Sequence, residues 1–181
     1  MRKIRWATFA ILAVCLLASA ESLSQDEPKR GPSTPEERQR FLALTHKLEQ
    51  TPLDKSLYAD KRWALQWIED IPDINVNICP LVLGDDFLGS HYLYAPEIMG
   101  QVVLGNVAFL IEHPDKKNDQ VAQYTAGVES ALKAYKGMLR ADPMHVSHSL
   151  EDLLEKQTQG KLTDFVRQSS KDCSSGDQTG I

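Results

Sequence analysis

Two histidines and an aspartate lie close together in the segment Asp142-Pro-Met-His145-Val-Ser-His148. Imidazole and carboxylate groups bind transition metals, and two histidines on one helical turn can share an ion. Here Pro143 interrupts the chain before the histidines, and Ser149 is a residue that caps helices. No third ligand is fixed by the sequence. We therefore predict a solvated loop between two helices, with a metal site at His145 and His148 as the alternative.

A second polar segment, Asp73-Ile-Asn75-Val-Asn77, resembles the first half of a calcium-binding loop. Such a loop requires glycine at its sixth position and glutamate at its twelfth, to turn the chain and to complete the ligands. Those positions hold Ile78 and Gly84. The sequence therefore predicts no calcium site, and no other pattern in it predicts a cofactor.

Polar side chains also interrupt an otherwise apolar segment at residues 96–112 and just beyond it: Glu97, Gln101, Asn106, Glu112 and His113. Polar groups are costly to bury unless they are hydrogen-bonded, and a buried carboxyl group with a raised pKa can act as a general acid. If these side chains line a cleft, the protein is a hydrolase or a metal-dependent enzyme. In the simpler interpretation, Glu97 accepts amide hydrogens at a helix start, while Glu112 and His113 are exposed at its end.

Aromatic residues at helical spacing suggest a different role. Tyr58, Trp63 and Trp67 occur in one helical segment and can form an exposed patch for a protein partner. Tryptophans at this spacing more often belong to the core, so burial is the favoured interpretation of the two rings, and the patch is the best candidate for a binding surface. The sequence lacks the Gly-x-Ser-x-Gly, His-Glu-x-x-His and phosphate-binding glycine motifs of common enzymes, which favours a non-enzymatic role.

The N-terminal segment has the three parts of a secretory leader. Residues 1–5 are basic, residues 6–17 form an apolar run, and Ala18-Ser-Ala20 is a small-x-small cleavage pattern. The apolar run is shorter than the roughly 20 residues of a bilayer-spanning helix. We predict that residues 1–20 are a cleaved signal peptide and that the mature chain is exported to the periplasm or outside the cell.

A lipoprotein anchored at Cys15 is the alternative. Val14 is larger than the residues usual directly before a lipidated cysteine, and Leu16 and Leu17 would leave an apolar start to the mature chain. Both features favour cleavage after Ala20.

Removal of the leader makes the chain more acidic. Arg2, Lys3 and Arg5 leave with it, so 17 of the 20 basic residues remain against 25 acidic ones, a net charge of −8. An acidic surface repels phosphate backbones and anionic lipids. No later apolar run approaches about 18 residues. We expect a protein partner, no nucleic acid and no membrane span in the mature chain.

Cys79 and Cys173 are the cysteines that remain after cleavage. In an oxidising compartment two cysteines are expected to pair. The loop so closed holds about 95 residues, which the chain-entropy account converts to about 4–5 kcal/mol of stability. The alternative is two reduced, buried thiols.

Composition divides the mature chain into three parts. Residues 21–33 are polar and contain Pro and Gly, which predicts a flexible linker. Residues 174–181 have the composition of a disordered tail. The intervening residues, 34–173, have the length of one domain with one core.

Apolar periodicity predicts five or six helices in that domain. They begin at Thr34, continue over about residues 54–69, 96–112, 119–141 and 149–160, and end with a helix from Leu162 to Cys173. Residues 81–94 are predicted to be a loop. The helix at 96–112 is apolar over most of its circumference, so we place it at the centre of the bundle. Gly100 and Gly105 within it predict close approach of a neighbouring helix.

The sequence thus predicts an all-α bundle around helix 96–112, closed by one disulfide. Its predicted function is that of an exported, non-enzymatic interaction module. The alternative is an enzyme with a cleft on the central helix.

Overall fold

The computed structural model describes residues 30–89 and 91–175. The predicted leader and residues 21–29 of the predicted linker therefore lie outside the described residues, as do residues 176–181 of the predicted tail. Residues 30–33 have no regular structure, but Ser33 donates two hydrogen bonds, from its backbone N and its Oγ, to the carboxylate of Asp73 at 2.8 and 2.7 Å. Fixed contacts therefore begin before Thr34, where the domain was predicted to start.

The described residues form helices and contain no strand. This confirms the all-α prediction. The helices are α1 (Pro35–Gln50), α2 (Tyr58–Asp70), α3 (Asp85–Leu88), α4 (Ala95–Glu112), α5 (Gln120–Ala141), α6 (His148–Thr158), α7 (Leu162–Ser169) and α8 (Lys171–Ser175). Within this part of the chain, no helix combines the length and the apolar character needed to cross a bilayer.

Five of the predicted helices match α1, α2, α4, α5 and α6, and the predicted helix from Leu162 to Cys173 is divided into α7 and α8. Helix α3 was not predicted. The segment 81–94, predicted as a loop, contains a 3-10 turn at Pro80–Leu83 and then α3. The start of α6 also differs, because Ser147 rather than Ser149 is the N-cap residue. As a result His148 lies in the first turn of a helix instead of in the preceding loop.

The start of α1 shows why the local sequence fixes a helix there. Thr34 Oγ1 accepts a hydrogen bond from the backbone N of Glu37 at 3.2 Å, and Glu37 Oε2 accepts one from the backbone N of Thr34 at 3.0 Å. Pro35 occupies the first helical position, where its missing N–H removes no hydrogen bond. This capping box satisfies amides that a helix start otherwise leaves unpaired.

Helix α4 lies at the centre because both halves of the core meet on it. Its residues Ile98 and Val102 pack with apolar side chains of α5, α6 and α7. Leu104, Val107 and Ala108 pack instead with the apolar faces of α1 and α2. A helix that is apolar around most of its circumference can fill both positions, which confirms the predicted central helix.

Helices α4 and α5 approach so closely that their backbones are in contact. A Cβ atom added at Gly105 would lie 2.5 Å from Ser130 Cβ, and one at Gly127 would lie 2.7 Å from the carbonyl oxygen of Val102. The predicted close approach is therefore confirmed at Gly105. At Gly100 the nearest neighbour is the flexible side chain of Lys61, 3.4 Å away.

The disulfide Cys79–Cys173 is present, with a Cα–Cα distance of 5.8 Å. It joins the extended segment after α2 to α8, across 94 residues of sequence. Cys79 is buried in the half of the core that contains α5, α6 and α7. The covalent link therefore closes that half of the bundle.

Candidate functional site

The aromatic patch proposed from the sequence is largely internal. Trp67 is only 1 % exposed, and its ring packs 4.9 Å from that of Phe41. Trp63 stacks on Trp67 with ring centroids 6.0 Å apart, and the guanidinium of Arg40 lies 3.7 Å from the centroid of Trp63. Of the three predicted residues, only Tyr58 is largely exposed. The structure thus places Trp67 in the core and leaves no open patch of three rings.

The five polar residues proposed to line a cleft lie at three separate places. Glu97 is in the first turn of α4, whereas Glu112 ends that helix and His113 follows it. Fifteen residues of helix separate the two glutamates by about 22 Å. Gln101 and Asn106 lie between them and are buried. The five side chains therefore do not converge on one cleft.

Gln101 instead belongs to a buried network that joins three helices. Its Nε2 donates to Ser130 Oγ of α5 at 2.9 Å and to the carbonyl oxygen of Thr45 in α1 at 3.3 Å. Ser130 Oγ donates in turn to Glu49 Oε1 at 2.7 Å. Lys133 Nζ lies 3.4 Å from the same carboxylate oxygen, which partly neutralises it. We name Gln101, Ser130 and Glu49 the interhelix network.

The sequence reasoning missed Glu49 and Ser130, although a signal for Glu49 was present. Thr45 and Glu49 follow Phe41 by four and eight residues, so they share its buried face of α1. A carboxylate on an apolar face predicts an internal partner. Beyond Glu49, His46 bridges to Glu112, with Nδ1 3.4 Å from Glu49 and Nε2 3.7 Å from Glu112.

Asn106 is buried at the crossing of α4 and α5, and neither atom of its amide has a hydrogen-bond partner in the described part of the chain. Its Oδ1 points at Gly127, because a Cβ atom there would lie only 2.1 Å from it. A Cα–H···O contact of this kind is weak but recurs at close helix crossings. The residue therefore contributes to helix packing and faces the glycine of α5.

A second polar cluster joins two loops that are far apart in sequence. Tyr94 Oη donates to Asp142 Oδ2 at 2.5 Å across 48 residues. His145 Nδ1 lies 2.7 Å from the same oxygen. The rings of Tyr94 and His145 meet edge to face with centroids 5.5 Å apart. These contacts fix residues 91–94 against residues 142–147.

Tyr135 of α5 is buried and contacts the same loops from the interior of the bundle. Its hydroxyl accepts a hydrogen bond from the backbone N of Ser147 at 3.0 Å and donates one to Glu151 Oε1 at 2.8 Å. The ring of Tyr92 packs against it, with centroids 6.2 Å apart. We call residues 91–94 and 142–147, together with Leu88 and the first turns of α4 and α6, the loop end.

The protonation states at the loop end follow from these contacts. The hydrogen bond from Tyr94 lowers the pKa of Asp142, with a further contribution from His145. The same bond raises the pKa of Tyr94. Burial is the main cause that raises the pKa of Tyr92, and it raises that of Tyr135 to about 12. Near neutral pH the cluster is therefore a carboxylate held between neutral phenols and an imidazole.

This arrangement can orient the imidazole of His145, as carboxylate partners do for metal-binding and catalytic histidines. However, within the described part of the chain no three His, Cys, Asp or Glu side chains are grouped so as to hold a metal ion. His148 is exposed in the first turn of α6. The contacts among Tyr94, Asp142 and His145 therefore hold the two loops together.

The loop end also exposes large apolar side chains. Met144 is 86 % exposed and Leu93 57 %, and Leu88 and Val146 are about as exposed as Leu93. Outside this region, Tyr58 and Ile78 are the other large apolar residues that the described part of the chain exposes to this extent. Exposed apolar side chains that are gathered on fixed loops indicate a binding surface.

Asp73, the first residue of the segment that resembles a calcium-binding loop, has hydrogen-bond partners of its own. This carboxylate accepts hydrogen bonds from Ser33 and from Arg38 Nη2, the latter at 2.8 Å. Desolvation alone would raise its pKa, but the bonds from Ser33 and Arg38 outweigh that effect and lower the pKa to about 2. Asp73 therefore fastens the start of α1, beside a shallow open groove formed by Ser33, Pro35, Arg38, Gln39 and Leu42.

Comparison with known proteins adds no further assignment. The chain matches no protein-family model, no curated protein and no solved structure.

Proposed function

We propose that this chain is an exported, non-enzymatic interaction module that binds a partner protein through its loop end. The basic, apolar and small-residue parts of residues 1–20 support export. The Cys79–Cys173 disulfide supports it as well, since such bonds persist in oxidising compartments outside the cytosol.

The observation that carries the binding proposal is the combination of exposure and fixation at the loop end. Leu93 and Met144 are exposed to water, and each is next in sequence to a residue of the Tyr94–His145 contact. Covering such side chains is favourable, at about 25 cal/mol per Å² of apolar surface. Loops already held in place also lose little conformational entropy when a partner binds.

The enzyme alternative has less support. It requires polar side chains of α4 to converge on a cleft, whereas Gln101 is hydrogen-bonded within the interhelix network and Glu112 lies beside His46. We therefore base the proposal on the exposed surface of the loop end.

Site-specific photocrosslinking in the native exported fraction tests the binding surface. A photoreactive amino acid replaces Leu93 or Met144 in separate proteins, and Tyr58 or Ile78 in the matched controls, which are also exposed apolar positions. We expect a discrete crosslinked product with another protein at the first two positions and none at the controls. Equal crosslinking at all four positions, or none at the loop end, would overturn the proposal.

Mass spectrometry of the exported protein tests the location separately. We expect its N-terminus at Glu21. A full-length chain with reduced Cys79 and Cys173 would contradict export, and a diacylglyceryl group on Cys15 would establish the lipoprotein alternative.

A further inference from the structure

The loop end has an unusual distribution of charge. Residues 63–115 and 141–155 contain no lysine and no arginine, and the whole loop end comes from these two segments. The first turn of α4 contributes Glu97, and that of α6 contributes Glu151, which is exposed. Neither forms an ion pair with a lysine or arginine in the described part of the chain.

Arg140 and Lys156, the basic residues that flank residues 141–155 in sequence, are engaged elsewhere. Arg140, near the end of α5, donates to the carbonyl oxygen of Gln50 at 3.1 Å and so caps the last turn of α1. Lys156 of α6 pairs with Asp152 and lies 5.2 Å from the ring centroid of Phe165.

A third basic residue, Lys61 of α2, lies beside Gly100, one turn of α4 beyond Glu97, but it forms no ion pair with Glu97 within the described residues. The loop end thus combines exposed apolar side chains with two carboxylates, Glu97 and Glu151, that pair with no lysine or arginine in the described part of the chain.

From this complementarity we propose that the occupant of the loop end is a basic amphipathic segment of a partner protein. Apolar side chains of that segment cover Leu93 and Met144, and its lysines or arginines contact the carboxylates of Glu97 and Glu151. This inference rests on the proposed function and adds the chemistry of the partner.

Charge also distinguishes this occupant from others. A second copy of the chain would bring two acidic surfaces face to face, and like charges in an interface oppose association. Nucleic acids and anionic lipids are repelled for the same reason. Met144 suits a peptide ligand, because a flexible thioether side chain adapts its shape to the apolar groups that it contacts.

Fluorescence anisotropy with three labelled peptides tests the proposal on the mature, disulfide-bonded chain. One probe is a helical Lys/Leu peptide of about 18 residues, or five turns, with all leucines on one face. The second replaces every lysine with glutamate. The third has the composition of the first in an order that destroys the apolar face.

We expect the Lys/Leu peptide to bind at least about tenfold more tightly than either of the others, because it alone satisfies both the charges and the apolar surface. Raising the salt concentration from about 50 to about 300 mM should weaken its binding several-fold. Equal affinity for the lysine and glutamate peptides would overturn the proposal.

Two double variants, each with a matched control, test whether the peptide binds at the loop end. Leu93→Ser with Met144→Ser, and Glu97→Gln with Glu151→Gln, should each weaken the Lys/Leu peptide by at least about threefold. The matched controls are Tyr58→Ser with Ile78→Ser, which also replace two large apolar side chains, and Glu36→Gln with Asp115→Asn, which also remove two negative charges. All four control positions are exposed and lie outside the loop end. Equal effects of variants and controls would show binding by net charge alone and would contradict the site.

The outcomes separate this inference from the proposed function. Crosslinking at Leu93 and Met144 without selective binding of the Lys/Leu peptide would refute the basic partner and leave the binding surface in place. Failure of both experiments would refute both. Sedimentation that shows a dimer abolished by Leu93→Ser would identify a second copy as the occupant and overturn the inference.

Discussion

The interhelix network and the loop end both consist of hydrogen-bonded polar side chains, but their surroundings differ. Gln101, Ser130 and Glu49 lie where three helices meet, and buried side chains surround them. Tyr94 and Asp142 lie within the two loops that expose Leu93 and Met144. Side-chain hydrogen bonds therefore join helices in the buried interhelix network, whereas at the loop end they fix loops that are exposed to water. Polar residues on an apolar helix do not by themselves indicate an active site.

Removal of the disulfide should have the largest effect on stability. The bond acts on the half of the core next to the loop end, where Cys79 is buried. Reduction should remove most of the roughly 4–5 kcal/mol that the chain-entropy account assigns to the bond and lower the melting temperature of the mature protein by about 10 °C. Thermal melts with and without reductant measure the effect. A Cys79→Ser, Cys173→Ser protein serves as the control that no longer responds to reductant. An unchanged midpoint in the native sequence would contradict the structural role of the bond.

A substitution at Gly127 tests how closely α4 and α5 must pack. An alanine there would place its Cβ against Asn106 and the carbonyl oxygen of Val102, and we expect a loss of about 2 kcal/mol from overpacking. Gly100→Ala is the matched control, since only the end of a lysine side chain is nearby. It should stabilise the protein by up to about 1 kcal/mol through helix propensity. Urea denaturation compares the two, and equal responses would argue against the tight crossing.

Ser130→Ala tests the hydrogen bonds of the interhelix network directly. It removes the hydroxyl that accepts from Gln101 Nε2 and donates to Glu49 Oε1, so Gln101 keeps only its bond to the carbonyl oxygen of Thr45. An unpaired hydrogen-bonding group at a buried site typically costs about 1–2 kcal/mol. Adding Gln101→Leu should recover part of the loss, because it removes the unsatisfied donor. A double-mutant cycle from denaturation midpoints measures this coupling. Strict additivity of the two substitutions would show that the network does not act as a unit.

Tyr94→Phe should produce a small change in stability but a clear change in titration. In the native protein the Tyr94 hydroxyl lowers the pKa of Asp142. The ionised carboxylate therefore stabilises the fold above the unfolded-state pKa of about 3.9, and that contribution is lost as the pH falls through the lower folded pKa. Carbon NMR titration should find the pKa of Asp142 closer to its ordinary value in the variant. The same pKa in both proteins would refute the role of this bond.

Asp73 shares the sign of that pH dependence in a different part of the fold. Its pKa of about 2 means that its stabilisation of the α1 start is complete above about pH 4 and is lost as the pH falls through about 2. Asp73→Asn should remove this contribution, whereas Asp115→Asn, at an exposed site, should not. Denaturation midpoints measured from about pH 2 to about pH 6 compare the variants. If the stability of Asp73→Asn falls at low pH as that of the native protein does, Asp73 is not the source of this pH dependence.

Several elements of the fold could be predicted because their causes are local in sequence. The Thr34 capping box and the apolar spacing of α4 and α5 depend on residues a few positions apart. Gly160, with φ +70°, ends α6 where the sequence predicts it. The cysteine pair was predictable for another reason, since only two cysteines follow the predicted leader.

The position of each side chain relative to water required the tertiary structure. Trp67 and Tyr58 belong to one helix, yet α1 covers the first and leaves the second exposed. Gln101 and Glu112 both interrupt the apolar sequence of α4, but packing buries the first and leaves the second exposed. Periodicity defines which face of a helix is apolar, but it does not define which neighbour covers a given residue.

The sequence by itself determined the longer helices, most of their ends and the disulfide, because hydrogen bonding within a helix and the pairing of two cysteines need no further partner. Only the packing of the helices brought Tyr94 to Asp142, 48 residues away, and left Met144 in water. Contacts over such separations depend on how every intervening element packs. That dependence is why the interhelix network and the loop end were visible only in the folded molecule.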